Sequence, residues 1–138
     1  MQFGPEFEKI FFKLSLNKPK YLDKISRGFY TSDDIGIMNV LAKKFHDKFH
    51  EPPSKEQMKL LIDSPKVKET IEDSILDLVY GTDLTQYDEE WLTSTIESWI
   101  KWKNFDSTLF DTIEYIKTTE VSPDNVESII SKVKGLIN

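Results

Sequence analysis

A chain of 138 residues with 38% hydrophobic and 30% charged residues is long enough to bury one core, and its nine Phe, five Tyr and three Trp supply too much burial area for a disordered chain. It has no cysteine, which excludes disulfides, thiolate zinc sites and cysteine nucleophiles together and leaves no argument for an oxidising compartment. The net charge of −6 arises wholly after residue 81, where five Lys+Arg stand against eleven Asp+Glu, so that part of the chain should be repelled by a phosphate backbone. With no basic leader and no run near the ~18 apolar residues of a membrane span, the expectation is a soluble cytoplasmic protein with no membrane partner.

Phe7, Ile10, Phe11 and Leu14 recur at helical spacing and predict a first helix from about Pro5 to Leu16. Asn17-Lys18-Pro19 breaks it. A short second helix is expected over Lys20–Ile25, with Gly28 as a left-handed cap and Phe29-Tyr30 as a buried plug. Ser32 and the acids Asp33-Asp34 suit the start of a third helix reaching His50, its stripe being Met38, Leu41, Ala42, Phe45 and Phe49. Pro52-Pro53 forces extended backbone, and Ser54 with Gln57 forms a capping box for a fourth helix with Met58, Leu61 and Ile62 inward. Ser64-Pro65 reads as the start of a fifth helix, carrying Val67, Ile71, Ile75 and Leu78 to Gly81.

After a connector at 82–87, Asp88-Glu89-Glu90 opens a helix that meets no Pro or Gly until Pro123. Ser122-Pro123 starts a last helix with the stripe Val126, Ile129, Ile130, Val133 and Ile137, which should fold back on its predecessor. The expected fold is all-α: a five-helix head over 1–81 and an antiparallel helical hairpin over 88–138. The long arm carries Trp91, Ile96, Trp99, Ile100, Trp102, Phe105, Leu109, Phe110, Ile113 and Ile116, more apolar surface than one partner helix covers. Together with Val126, Ile130 and Val133 they are the expected oligomer or partner interface, Trp being enriched at interface hot spots.

Catalytic patterns are absent from the sequence. His46 and His50 have metal-binding spacing without a third ligand, and a dipole-favoured pair at a helix end accounts for them. The acidic pairs sit where helix starts want acids, no glycine-rich phosphate loop exists, and no nucleophile elbow frames a triad. No catalytic, cofactor or metal site is expected. One basic face, Lys9, Lys13, Lys20 and Lys24 interleaved with aromatics, leaves a nucleic-acid-binding module open, against the plainer reading of a solvated face helped by Glu6, Glu8 and Asp23. A stand-alone adaptor for a single protein partner is the other open reading.

Several stretches carry a family likeness: Phe29-Tyr30, the stripe Ile37, Leu41 and Phe45, the run from Lys48 through Pro52-Pro53 to Gln57 and Leu60-Leu61, and later Trp91-Leu92, Ile96-Glu97 and Trp99-Ile100-Lys101. In these and in element order the chain resembles the N-terminal domain of DnaB-type replicative helicases, phage versions above all. It departs from the family in offering only Lys101 or Lys103 where many relatives place Arg, and in lacking a glycine-rich turn after the fourth helix. The resemblance implies a bacterial or phage-infected cell and hairpins pairing between subunits, as a dimer or a trimer of dimers in a hexamer. It also implies recruitment of primase or a helicase loader, only indirect contact with DNA, and ATP and magnesium confined to an ATPase domain outside this chain. An end near Asn138, where a linker would begin, suits an excised domain.

Overall fold

In the computed structural model, which describes residues 3–67 and 70–136, the first helix forms where its periodicity predicts. Helix α1 spans Pro5–Asn17 with Pro5 in its first turn, a position that needs no N–H. Its buried side is wider than one stripe. Ile10, Phe11 and Leu14 are joined by Glu8, Phe12, Ser15 and Leu16, so α1 is a central helix covered from more than one direction.

The short helix expected over Lys20–Ile25 is instead one 3-10 turn, Pro19–Tyr21. Buried Tyr21, Leu22 and Ile25 hold this segment by tertiary packing, and so short a piece gains little from helical bonds alone. A second 3-10 turn, Arg27–Phe29, brings the expected plug of Phe29 and Tyr30 into the core. Gly28 is not left-handed, because no glycine has a positive φ; the turn through it closes with ordinary 3-10 geometry.

Helix α2, Asp33–Phe49, starts on Ser32, whose hydroxyl accepts from the Ile35 N–H at 3.3 Å. It ends on His50, which adopts the left-handed conformation at φ 63°, a position glycine fills without strain. His50→Gly is expected to raise stability by about 0.5 kcal/mol, measurable as a higher urea midpoint with an unchanged slope. Within α2, Gly36 packs against the Arg27–Phe29 turn so closely that a Cβ there would lie 2.8 Å from the Arg27 carbonyl oxygen. Backbone cannot move aside cheaply, so Gly36→Ala should cost roughly 1–3 kcal/mol, read by denaturant unfolding. Phe49, expected inward, is exposed with its ring 4.7 Å from that of Phe45, because the stripe has passed the end of the core at Ala42.

Helix α3, Lys55–Ile62, carries the expected capping box, with Gln57 Oε1 accepting from the Ser54 N–H at 2.8 Å and Ser54 Oγ accepting from the Gln57 N–H at 3.2 Å. The next helix is shorter than the sequence suggested. Ser64-Pro65 begins a turn, and α4 spans only Asp73–Tyr80. Val67 and Ile71 therefore precede the helix, and its inward pair is Leu76 and Val79, leaving Leu78 exposed. Tyr80 closes α4 onto its neighbours: its hydroxyl donates to the Pro53 carbonyl at 2.9 Å and its own carbonyl accepts from Lys13 Nζ at 2.7 Å. Burial, with the charge of Glu56 adding, pushes its phenol well above the ordinary range.

A third 3-10 turn, Leu84–Gln86, leads to α5, Glu89–Thr118, and α6, Val126–Gly135. Asp88 caps α5, its carboxylate accepting from the Trp91 N–H at 2.9 Å. The last helix starts after Ser122-Pro123 rather than on it, since the Asn125 side chain first closes a turn by accepting from the Ser122 N–H at 2.8 Å. The fold is all-helical, with four α-helices and three 3-10 turns before α5 among the described residues; the expected five-helix head is revised accordingly. None of these helices is long and apolar enough to cross a membrane.

Two compact units divide the chain, Met1–Ile96 and Glu97–Asn138, with α5 contributing to both. In the first, α1 packs against α2, α4 and the first and third 3-10 turns, the second 3-10 turn packs on α2, and α3 joins α2 and α4. The polar groups inside it are paired. Glu8, 1% exposed, accepts from the Thr31 N–H and hydroxyl, each at 2.8 Å, and from the Ser32 N–H at 3.1 Å. Asn39 donates to the Ile25 carbonyl at 3.0 Å and accepts from the Tyr30 hydroxyl at 3.2 Å. Burial and the nearby Glu8 charge push that phenol far up.

Candidate interaction surface

The residues expected to form an interface divide sharply between buried and exposed. Ile96, Trp99 and Ile100 are buried, Trp99 completely, and serve the chain's own core. Trp102 is 54% exposed and Phe110 64%, and Phe105, Ile113 and Ile116 are exposed with them. Leu109 lies half-buried among these, and Trp91, in the first unit, is exposed beside Tyr87, their rings 5.9 Å apart. On α6, Ile129 is buried and Val126 half-buried, while Ile130 and Val133 remain exposed; Ile137 lies outside the described residues.

In the second unit, after the turn at 119–125, the Lys132 ammonium of α6 sits 4.5 Å from the centre of the Tyr115 ring of α5. Lys132 also borders a groove of about 290 Å³ with Thr108, Asp111, Thr112 and Tyr115. That is the threonine side of α5. The Thr108 and Thr112 hydroxyls donate back to the Asn104 and Thr108 carbonyls, both at 2.8 Å, the usual inward bond of threonine in a helix. Trp102, Phe105, Leu109, Ile113 and Ile116 follow one another at spacings of three, four, four and three residues, a single helical face. Trp102 and Phe105 already stack, with ring centres 6.0 Å apart. A contiguous exposed apolar stripe of this kind is uncommon on a monomer's surface.

The basic face is less available than its composition suggests. Lys13 is committed to the Tyr80 carbonyl, and its ammonium lies 5.6 Å from the Tyr80 ring centre. Lys20 and Lys24 both sit over the ring of Tyr21, at 5.1 and 5.9 Å, while Lys9 is half-buried on α1.

Two grooves in the first unit hold no convergent chemistry. One, of about 380 Å³, has Leu14, Leu84 and Leu92 in its walls, and its charged pair, Lys18 with Glu89, is closed at 2.9 Å. This ammonium holds the Glu89 carboxyl below the usual range. The other, of about 500 Å³, lies against Ile25 and Val40 and mixes Arg27, Lys43 and Lys44 with Asp23 and Asp47. His46 and His50 gain no further ligand, since no group of three or more metal-ligating side chains occurs among the described residues. Sequence reasoning missed Glu8, which it grouped with solvated acids. The signal was present: Glu8, Phe12 and Ser15 recur at i, i+4 and i+7, a second inward face.

Comparison with known proteins gives no match: no family model fits the chain, and neither curated proteins nor solved structures contain a significant relative.

Proposed function

We propose that this chain is a non-catalytic self-association domain, and that it serves as the N-terminal oligomerisation and primase- or loader-docking domain of a replicative DNA helicase. In this reading the second part of α5 and α6 are the arms of an antiparallel hairpin that pairs with the hairpin of another subunit. One observation supports self-association above the others: the stripe from Trp102 to Ile116 is exposed while α6 borders the threonine side of the same helix. Isolated exposed hydrophobes are common on monomers, but a continuous aromatic and aliphatic face is costly to leave in water. The helicase assignment draws on the sequence resemblance, and ATP and magnesium would belong to an ATPase domain outside this chain.

Light scattering tests the association. At about 100 μM, where a micromolar Kd is saturated, the chain is expected to be a dimer or larger. Combining Trp102→Ala with Phe105→Ala should weaken association at least about tenfold with an unchanged helical circular dichroism spectrum. A strict monomer, indifferent to these changes, would refute the proposal.

A further inference from the structure

Resting on self-association through α5, we propose that two copies pair their α5 helices antiparallel about a two-fold axis at Leu109, each Trp102–Phe105 end lying on the partner's Ile113–Ile116 end. Spacing, size and charge each favour this arrangement.

The apolar positions are symmetric in sequence about Leu109: Phe105 and Ile113 lie four residues to either side, Trp102 and Ile116 seven. A two-fold interface requires that residue i meet j while j meets i, and antiparallel pairing about Leu109 places every apolar position on another.

Side-chain size then separates antiparallel from parallel. The stripe is bulky at one end, where Trp102 and Phe105 stack, and slimmer at the other, where Ile113 and Ile116 stand. Parallel pairing would set Trp102 against its own copy and Phe105 against its own, wide at one end and narrow at the other. Packed helices keep an interaxial distance of about 8–10 Å, and alternating large with small residues maintains it. Antiparallel pairing does so along the whole stripe.

Charge points the same way. Lys101 and Lys103 lie toward the aromatic end and Glu114 toward the aliphatic end, Asp111 instead bordering the groove beside Lys132. Parallel helices would bring lysine toward lysine and carboxylate toward carboxylate; antiparallel helices bring each lysine end to a carboxylate end. Lys117, its ammonium 3.9 Å from Glu114 within its own helix, offsets part of that negative charge, so charge is the smallest of the three contributions, and Asp106 lies nearer the centre, beside the axis. Opposed macrodipoles add to the preference.

A chain with no cysteine permits a direct test, because a disulfide forms only when the two Cα atoms lie within about 7 Å. Leu109→Cys is expected to cross-link to itself on mild oxidation. Trp102→Cys alone should not, whereas an equimolar mixture of Trp102→Cys and Ile116→Cys chains should give predominantly the mixed disulfide. Self-cross-linking of Trp102→Cys as efficient as that of Leu109→Cys would overturn the antiparallel register while leaving self-association intact. A chain that associates by light scattering but forms none of these disulfides overturns it equally, and a monomeric wild-type chain overturns the underlying reading.

Should a cysteine at the seam weaken pairing, charge exchange tests the same register without one. Lys103→Glu and Glu114→Lys are each expected to weaken association roughly fivefold, and mixing the two variants should restore it. Failure of the mixture to recover affinity would exclude the antiparallel arrangement.

Discussion

Replacing Glu8 with alanine is expected to cost roughly 2–4 kcal/mol, one of the two largest losses foreseen for a single substitution in this chain. The carboxylate of Glu8 leaves α1 and takes both the N–H and hydroxyl of Thr31 and the N–H of Ser32, so one side chain satisfies the backbone just before α2. Without it, two backbone N–H groups lose their acceptor at a part-buried site, and the helix start loses a negative charge that its dipole favours. Glu8→Gln retains the shape and one good acceptor and should cost about half as much. Urea unfolding followed by circular dichroism measures both. Equal stability of wild type and Glu8→Ala would mean that this carboxylate does not hold α2.

The second large effect separates two tryptophans three residues apart. Trp99 has no exposed surface, and Trp99→Ala should cost about 3–5 kcal/mol, the usual range for emptying a buried aromatic site. Trp102→Ala should change stability by less than about 1 kcal/mol, since more than half of that side chain, 54%, is already in water. Its effect belongs in association instead. Thermal or urea unfolding measured well below the association range, set beside light scattering above it, separates the two contributions. A Trp102→Ala chain as destabilised as Trp99→Ala would show the exposed stripe to be part of the fold rather than an interface.

The same tryptophans mark how far the sequence could be read. Periodicity placed Trp99 and Trp102 on one long apolar side, and helix spacing alone does not tell a residue buried at 0% from one exposed at 54%. Local rules worked where the deciding contacts are local: the Ser54–Gln57 capping box, the Ser32 cap of α2 and the acidic start of α5 all form as expected. They failed where distant residues decide. Glu8 caps a helix more than twenty positions away, and no window around Glu8 contains that helix start. Ser64-Pro65 has the chemistry of a helix start, yet α4 begins only at Asp73, where Lys59 meets Asp73 at 2.9 Å and Lys55 meets Asp77 at 2.6 Å across to α3. Those exposed pairs add little energy individually, and the inward face of α4 is the buried pair Leu76 and Val79. For the candidate interface, the residue types were legible and their exposure was not, because exposure depends on where α6 comes to rest.

The threonine side of α5 carries one more consequence. Because Thr108 and Thr112 give their hydroxyl protons to carbonyls of the turn before, each turns its methyl group away from its own helix. Their polar demand is met at home, and it stays met whether water or another helix lies against them. A serine bonded in the same way would present no methyl, and an asparagine would bring an amide in need of an outside partner. These two threonines can therefore be covered or wetted without leaving a hydrogen bond unmade.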